Sequence, residues 1–317
     1  MTIDLIVGKK VYFCGRIGII QFRLPMERKS LIVWSSFLFL MLAWGSSFIL
    51  VKRALQAGFL PSEVASMRMF SAFCVMIVPA IMHFKSIPKE KIGYLVLCAV
   101  ISMFIPAYLF ATAQVHLQSS IMSILNALTP ACTFIVGISF FKQPINKMQM
   151  VGLIVGMIGS TMLILVNTKG ELSINAYAFL VLLATLCYGT NVNLVKYKLS
   201  EVKPIHLSTF TVAIAGGLAL GYLLLNGMVP HIYENALVHP WGFGAMLLLG
   251  AMGTAACQIV FNNMLPLTTS VFASSITYFI PIVALFWGLL DGEILVYWHY
   301  LGMAFIIGGI LILNKFR

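Results

Sequence analysis

Arg68 is a cation set inside an apolar run, seven residues past Pro61. On a helix rising 1.5 Å per residue, that spacing puts it about 10 Å deeper than the proline. A guanidinium at such depth is costly to desolvate and turns toward the interior of a helix bundle. There it can hold a substrate carboxylate or take part in proton coupling; the structural alternatives are ion pairing and snorkelling. Glu63 lies about 140° around the same helix, at about 100° per residue, and is a poor partner for Arg68. It follows Pro61-Ser62 and reads as a first-turn carboxylate favoured by the helix dipole.

Neutral polar side chains gather on particular apolar stretches. One carries Ser119, Ser120, Ser123, Asn126 and Thr129, and another carries Ser270, Ser274, Ser275, Thr277 and Tyr278. Trp44, Ser46 and Ser47 form a third group, matched by Tyr188, Thr190, Asn191 and Asn193. Tyr108 and Thr112 form a fourth, matched by Gln258, Asn262 and Asn263. Ser119, Ser123 and Asn126 recur at three or four residues and share one helix face. Such stripes either bond across helix contacts, at about 0.6 kcal/mol each, or line an aqueous central cavity. On the cavity reading, the residues expected to touch a small-molecule substrate are Trp44, Ser47, Arg68, Tyr108, Asn126, Tyr188, Asn191, Asn262 and Tyr278. Pro130 and Pro281 lie inside predicted helices and are expected to kink them beside that cavity.

No HExxH, no GxSxG and no acidic pair suited to a metal is present, so no catalytic residue, metal or cofactor is expected. A Walker motif is also absent from the sequence, and nothing resembles the charged ring or carbonyl filter of a channel.

The elements that must position these residues follow from composition. The chain is 61% hydrophobic and 9% charged, with a mean hydropathy of +1.00. A soluble domain carries about 25% charged residues, so the chain is an all-α integral membrane protein whose partner is the lipid bilayer. The net charge of +11 does not point to nucleic acid, because the basic residues lie between apolar runs, where they set topology. Five of the six cysteines fall inside those runs and no CxxC occurs, against disulfides or metal.

A helix needs about 20 apolar residues to cross the hydrocarbon core. Ten stretches qualify: 31–51, 64–82, 93–113, 120–141, 148–166, 176–195, 205–225, 241–261, 270–289 and 294–313. The longest link, 226–240, shows no domain of its own. With the N-terminus in the cytoplasm, sixteen of the twenty Lys and Arg residues fall on that side, and both termini are cytoplasmic. Lys52, Arg53 and Lys196 are expected to snorkel, and Asp291 and Glu293 to be loop carboxylates. Residues 1–30 read as a basic cytoplasmic tail, and Met26, which begins MERKSLIVW, as an alternative start.

The sequence also repeats. Ser119, Ser123 and Pro130 fall on Ser270, Ser274 and Pro281. After a one-residue slip, Gln143, Gly152 and Gly159 fall on Glu293, Gly302 and Gly309. Trp44-Gly45-Ser46-Ser47 with Lys52 matches Tyr188-Gly189-Thr190-Asn191 with Lys196. The expected units are therefore 31–167 and 176–317, each of five helices. Five is odd, so the second enters the membrane from the opposite side. An inverted repeat of this kind places a binding site between its halves near the midplane.

On these residues the chain resembles the EamA-domain branch of the drug/metabolite transporter superfamily. The likeness is carried by Trp44-Gly45-Ser46-Ser47-Phe48, Pro61 with Arg68, and the proline-then-glycine closures Pro130 to Gly159 and Pro281 to Gly309. The resemblance implies a bacterial inner-membrane carrier of small metabolites, often an exporter of amino acids or related compounds. It also implies a Glu after each proline segment; Glu293 fits, and Gln143 stands in the first place.

The leading expectation is a secondary transporter working by alternating access. A multidrug or toxic-compound efflux carrier is the alternative, and a membrane-embedded enzyme is the rival from another class. The spacings Gly152 to Gly156 and Gly217 to Gly221 allow close helix contact, compatible with a monomer or a weak homodimer.

Overall fold

A computed structural model describes residues 26–83, 86–142, 147–165, 175–268 and 275–315, all helix, turn or loop, with no strand among them. The order is α1 (Met26–Gln56), α2 (Pro61–His83), α3 (Ile92–Ala99), α4 (Ile105–Gln114), α5 (Ser119–Asn126), α6 (Thr129–Phe141) and α7 (Lys147–Leu165). There follow α8 (Ala178–Lys198), α9 (Pro204–Leu225), α10 (Val229–Val238), α11 (Pro240–Gly250), α12 (Cys257–Met264), α13 (Ile280–Leu290) and α14 (Tyr297–Lys315). Each of the ten stretches expected from the sequence contains helix, and seven described spans are long and apolar enough to cross a bilayer. The protein is a multi-pass membrane protein.

Local chemistry explains where the helices start and stop. Gly58 takes the left-handed conformation, with φ 87°, which ends α1 and lets Pro61 open α2 at a position where its missing N–H is no loss. Glu63 reaches back to accept the Leu60 N–H at 2.8 Å, the reciprocal arm of a capping box. The 226–240 link carries a helix of its own, α10. His231 on α10 meets the fully buried Glu63 carboxylate at 2.7 Å.

Pro130 and Pro281 act differently from the kinks expected of them. Each sits at the second position of a new helix, α6 or α13. The α5–α6 helix is interrupted just before, at Ala127-Leu128. A 3₁₀ turn, Ser275–Tyr278, precedes α13. The prolines therefore begin fresh helices rather than bend continuous ones, because a proline at N1 or N2 leaves no donor unpaired.

Two further interruptions form a pair. A π turn at Val100–Phe104 joins α3 to α4, and another at Ala251–Ala256 joins α11 to α12. Single π turns inside α-helices are frequent at functional sites.

Helix α7 packs on α14 and α2 on α9. The first contact runs through glycines: a Cβ on Gly159 would lie 2.5 Å from the Gly302 carbonyl, and one on Gly309 would press on Gly156. The Gly152 to Gly156 spacing thus serves packing within the chain. Gly217 and Gly221 face open space.

Candidate functional site

The break between α5 and α6 and the two π turns meet around a cavity of about 160 Å³. From the first half of the chain it is lined by Trp44 and Ser47 of α1, Arg68 of α2, Ser102 of the first π turn, Gln114 of α4, and Asn126 and Thr129 at the α5–α6 break. From the second half come Tyr188 and Asn191 of α8, Thr254 of the second π turn, Gln258 of α12 and Thr277. Residues before 165 and residues after 175 therefore contribute alike.

Close backbone approach makes this possible. Trp44 donates its indole N–H to the Gly253 carbonyl at 3.1 Å, and a Cβ on Gly253 would lie 2.9 Å from Ser47 Oγ. Gly189 lets α8 touch α6, since a Cβ there would lie 2.6 Å from the Thr133 backbone nitrogen. Gly45 does the same for α1 against α13 at Val283. Arg68 is drawn into the cavity by donating Nε–H to Thr254 Oγ1 at 2.8 Å. At the α5–α6 break the Thr129 hydroxyl donates to the Asn126 carbonyl at 2.7 Å, satisfying an acceptor that an unbroken helix would satisfy with its own backbone.

Six of the expected contact residues line the cavity: Trp44, Ser47, Arg68, Asn126, Tyr188 and Asn191. Two are placed elsewhere. The Tyr108 hydroxyl bonds Ser66 at 2.6 Å, and its ring packs edge-on against Tyr222 of α9. Asn262 is buried and donates to Ser208 Oγ at 2.9 Å, cross-linking α12 to α9. Both are structural bonds between packed helices, each polar group being satisfied by a side chain of a neighbouring helix. The side chain of Tyr278 lies outside the described residues, as do Gln143, Ser270 and Ser274. Ser102, Gln114 and Thr254 were missed. Thr254 stands four residues before Gln258, a spacing that puts the two on one helix face and so could have pointed to it.

Three charged residues also depart from expectation. Glu293 is not a solvated loop carboxylate: it is 8% exposed and accepts the Ser119 and Ser120 backbone N–H groups at 2.9 and 3.0 Å and the Ser120 hydroxyl at 2.6 Å. Lys52 does not snorkel; it donates to Glu293 at 2.9 Å and pairs with Asp291. Arg53 pairs with Asp291 too. A carboxylate at the first turn of α5 complements the helix dipole and its unpaired donors. Burial alone would raise the Glu293 carboxyl, but the bonds from Ser120, Lys52 and Ser119 outweigh it and hold the group below its usual range.

Comparison with known proteins agrees with this architecture. A protein described as an uncharacterized transporter of Synechocystis sp. is 22% identical over 290 residues, which cover 86% of each chain. Another uncharacterized transporter, from Buchnera aphidicola subsp. Schizaphis graminum, is 23% identical over 259 residues, covering 80% of this chain and 84% of its own. A crystal structure at 12% identity superposes with a TM-score of 0.55 over 91% of this chain and 97% of its own, a likeness of fold alone. The model of the EamA-like transporter family matches twice, at residues 32–165 and 175–315. The chain belongs to the EamA-like transporter family.

Proposed function

We propose that the protein is a secondary carrier of the bacterial inner membrane that exports small metabolites such as amino acids. It has both termini in the cytoplasm and ten transmembrane helices in two inverted five-helix halves, 31–167 and 176–317. Alternating access arises from rocking of one half against the other around a fixed site. The observation that carries this reading is a cavity lined by matched elements of both halves: Trp44 and Tyr188, and the π turns of Ser102 and Thr254. Single π turns inside α-helices are frequent at functional sites, and both turns here border this cavity together with the α5–α6 break.

The scale of the cavity, about 160 Å³, suits a metabolite rather than a drug-sized molecule, whose sites run from about 300 to 1,000 Å³. The test is counterflow: purified protein in liposomes loaded with a metabolite mixture, assayed with and without an imposed pH gradient. Accumulation of one solute supports the carrier, and dependence on the gradient assigns proton coupling. No accumulation across a broad panel would count against it.

A further inference from the structure

The described lining of the central cavity carries one formal charge. Among the described residues that line it, Arg68 is the one charged side chain, with no Asp, Glu or Lys beside it. Its Nε is committed to Thr254 at 2.8 Å. Neither terminal guanidinium nitrogen has a partner among the described residues, and no described carboxylate forms an ion pair with Arg68. A planar fork of N–H donors left open in this way matches a carboxylate in two-point geometry.

The same cavity holds bare acceptors. Gln114 Oε1 and Asn191 Oδ1 are buried without a hydrogen-bond partner among the described residues. The Gln114 amide is oriented by its own network. Its Nε2 donates to Ser119 Oγ at 3.0 Å and to the Leu117 carbonyl at 3.5 Å, so its oxygen is the free end. Buried acceptors are almost always satisfied, and these two point to a donor supplied by a ligand. Trp44, Phe48, Phe110 and Phe261 complete an aromatic wall.

Charge counting then separates the candidate ligands. A monoanion bound to Arg68 leaves the filled cavity neutral. A zwitterion leaves it with the same net positive charge as the empty site, and brings an ammonium for which the lining has no carboxylate. A cation adds a second positive charge. In a site of low dielectric the neutral complex is favoured.

We infer that the cavity takes a small organic monoanion bearing a neutral hydrogen-bond donor, in chemical class a hydroxy acid. Arg68 holds the carboxylate, and the amide oxygen of Gln114, oriented by its own network, accepts the one hydrogen of the hydroxyl. This rests on the cavity being the substrate site of the carrier proposed above, and it narrows the substrate from amino acids to acids that carry no ammonium.

The test uses four probes that share one phenyl body: 3-phenyllactate, 3-phenylpropionate, phenylalanine and phenethylamine. Their Kd values are measured by calorimetry on the full chain in detergent. The expected order is 3-phenyllactate tightest, 3-phenylpropionate several-fold weaker, phenylalanine weaker again, and no binding of phenethylamine. Arg68→Gln is expected to raise the Kd for 3-phenyllactate by about tenfold or more, and Arg68→Lys to keep the anion preference at reduced affinity. Gln114→Met is expected to bring 3-phenyllactate down to the affinity of 3-phenylpropionate while leaving the latter unchanged. Phenylalanine binding as tightly as 3-phenyllactate, or an anion preference surviving Arg68→Gln, would overturn the inference. Should both Arg68 variants fail to fold, the four wild-type affinities decide alone. Binding of none of the probes overturns it as well, while accumulation of a solute in the counterflow assay would still uphold the carrier, so the two readings fail separately.

Discussion

Glu293 accepts the backbone N–H of Ser119 at 2.9 Å, so a carboxylate from one end of the chain caps a helix 174 residues away in sequence. Ser120 and Lys52 complete its coordination. This tie joins α1, α5 and the α13–α14 turn at a single buried group.

Replacing Glu293 by Gln keeps the shape and removes the charge. Hydrogen bonds to charged groups contribute about 1.5–3 kcal/mol, so Glu293→Gln is expected to destabilise the protein by about that amount. Thermal unfolding in detergent should show a lower Tm, and an unchanged Tm would show that the charge contributes nothing to the tie.

The same group sets a pH dependence. Its carboxyl is held below the usual carboxylate value of 4.5, and a depressed folded-state pKa gives stability that is present above the unfolded value and lost as pH falls through the folded one. The Tm difference between the wild type and Glu293→Gln should therefore be full at neutral pH and shrink on acidification below about 4.5. A difference that stays constant down to the acid limit of folding would contradict this.

Glycine contacts offer a structural contrast. A Cβ on Gly189 would lie 2.6 Å from the Thr133 backbone nitrogen, whereas one on Gly217 meets nothing within 4 Å. Overpacking a close helix contact costs about 1–3 kcal/mol. Gly189→Ala should lower the Tm and Gly217→Ala should leave it unchanged, and equal effects at the two sites would refute the packing described for α6 and α8.

Cavity and packing residues should separate in transport. Asn191 lines the cavity and Tyr108 bonds Ser66 outside it. Asn191→Leu is expected to lower initial uptake in liposomes several-fold, the size of one lost neutral hydrogen bond. Tyr108→Phe should leave uptake within about twofold, since a hydroxyl between packed helices is worth only a few tenths of a kcal/mol to a kcal/mol. The reverse ranking would move the site toward α9.

Much of this was readable in the residues. Apolar length placed the helices, and the duplicated polar groups led to Trp44, Ser47, Asn126, Tyr188 and Asn191. Arg68 was legible because a cation inside an apolar run has few reasons to be there. The π turns were not legible: nothing in Val100–Phe104 or Ala251–Ala256 departs from ordinary apolar helix composition. Glu293 and Lys52 were read by the default for charges near helix ends, whereas their role depends on a contact 241 residues apart in sequence, which no local pattern records. Pro130 and Pro281 were located correctly as points of irregularity, but a sequence does not show whether a proline bends a helix or begins one.

The central claim is that the cavity beneath Arg68 is where a solute is held during transport. Its most direct test is counterflow in proteoliposomes by the wild type and Arg68→Ala, reconstituted at equal density. The account predicts accumulation by the wild type and none above protein-free liposomes by Arg68→Ala. Equal accumulation by the two proteins would contradict it.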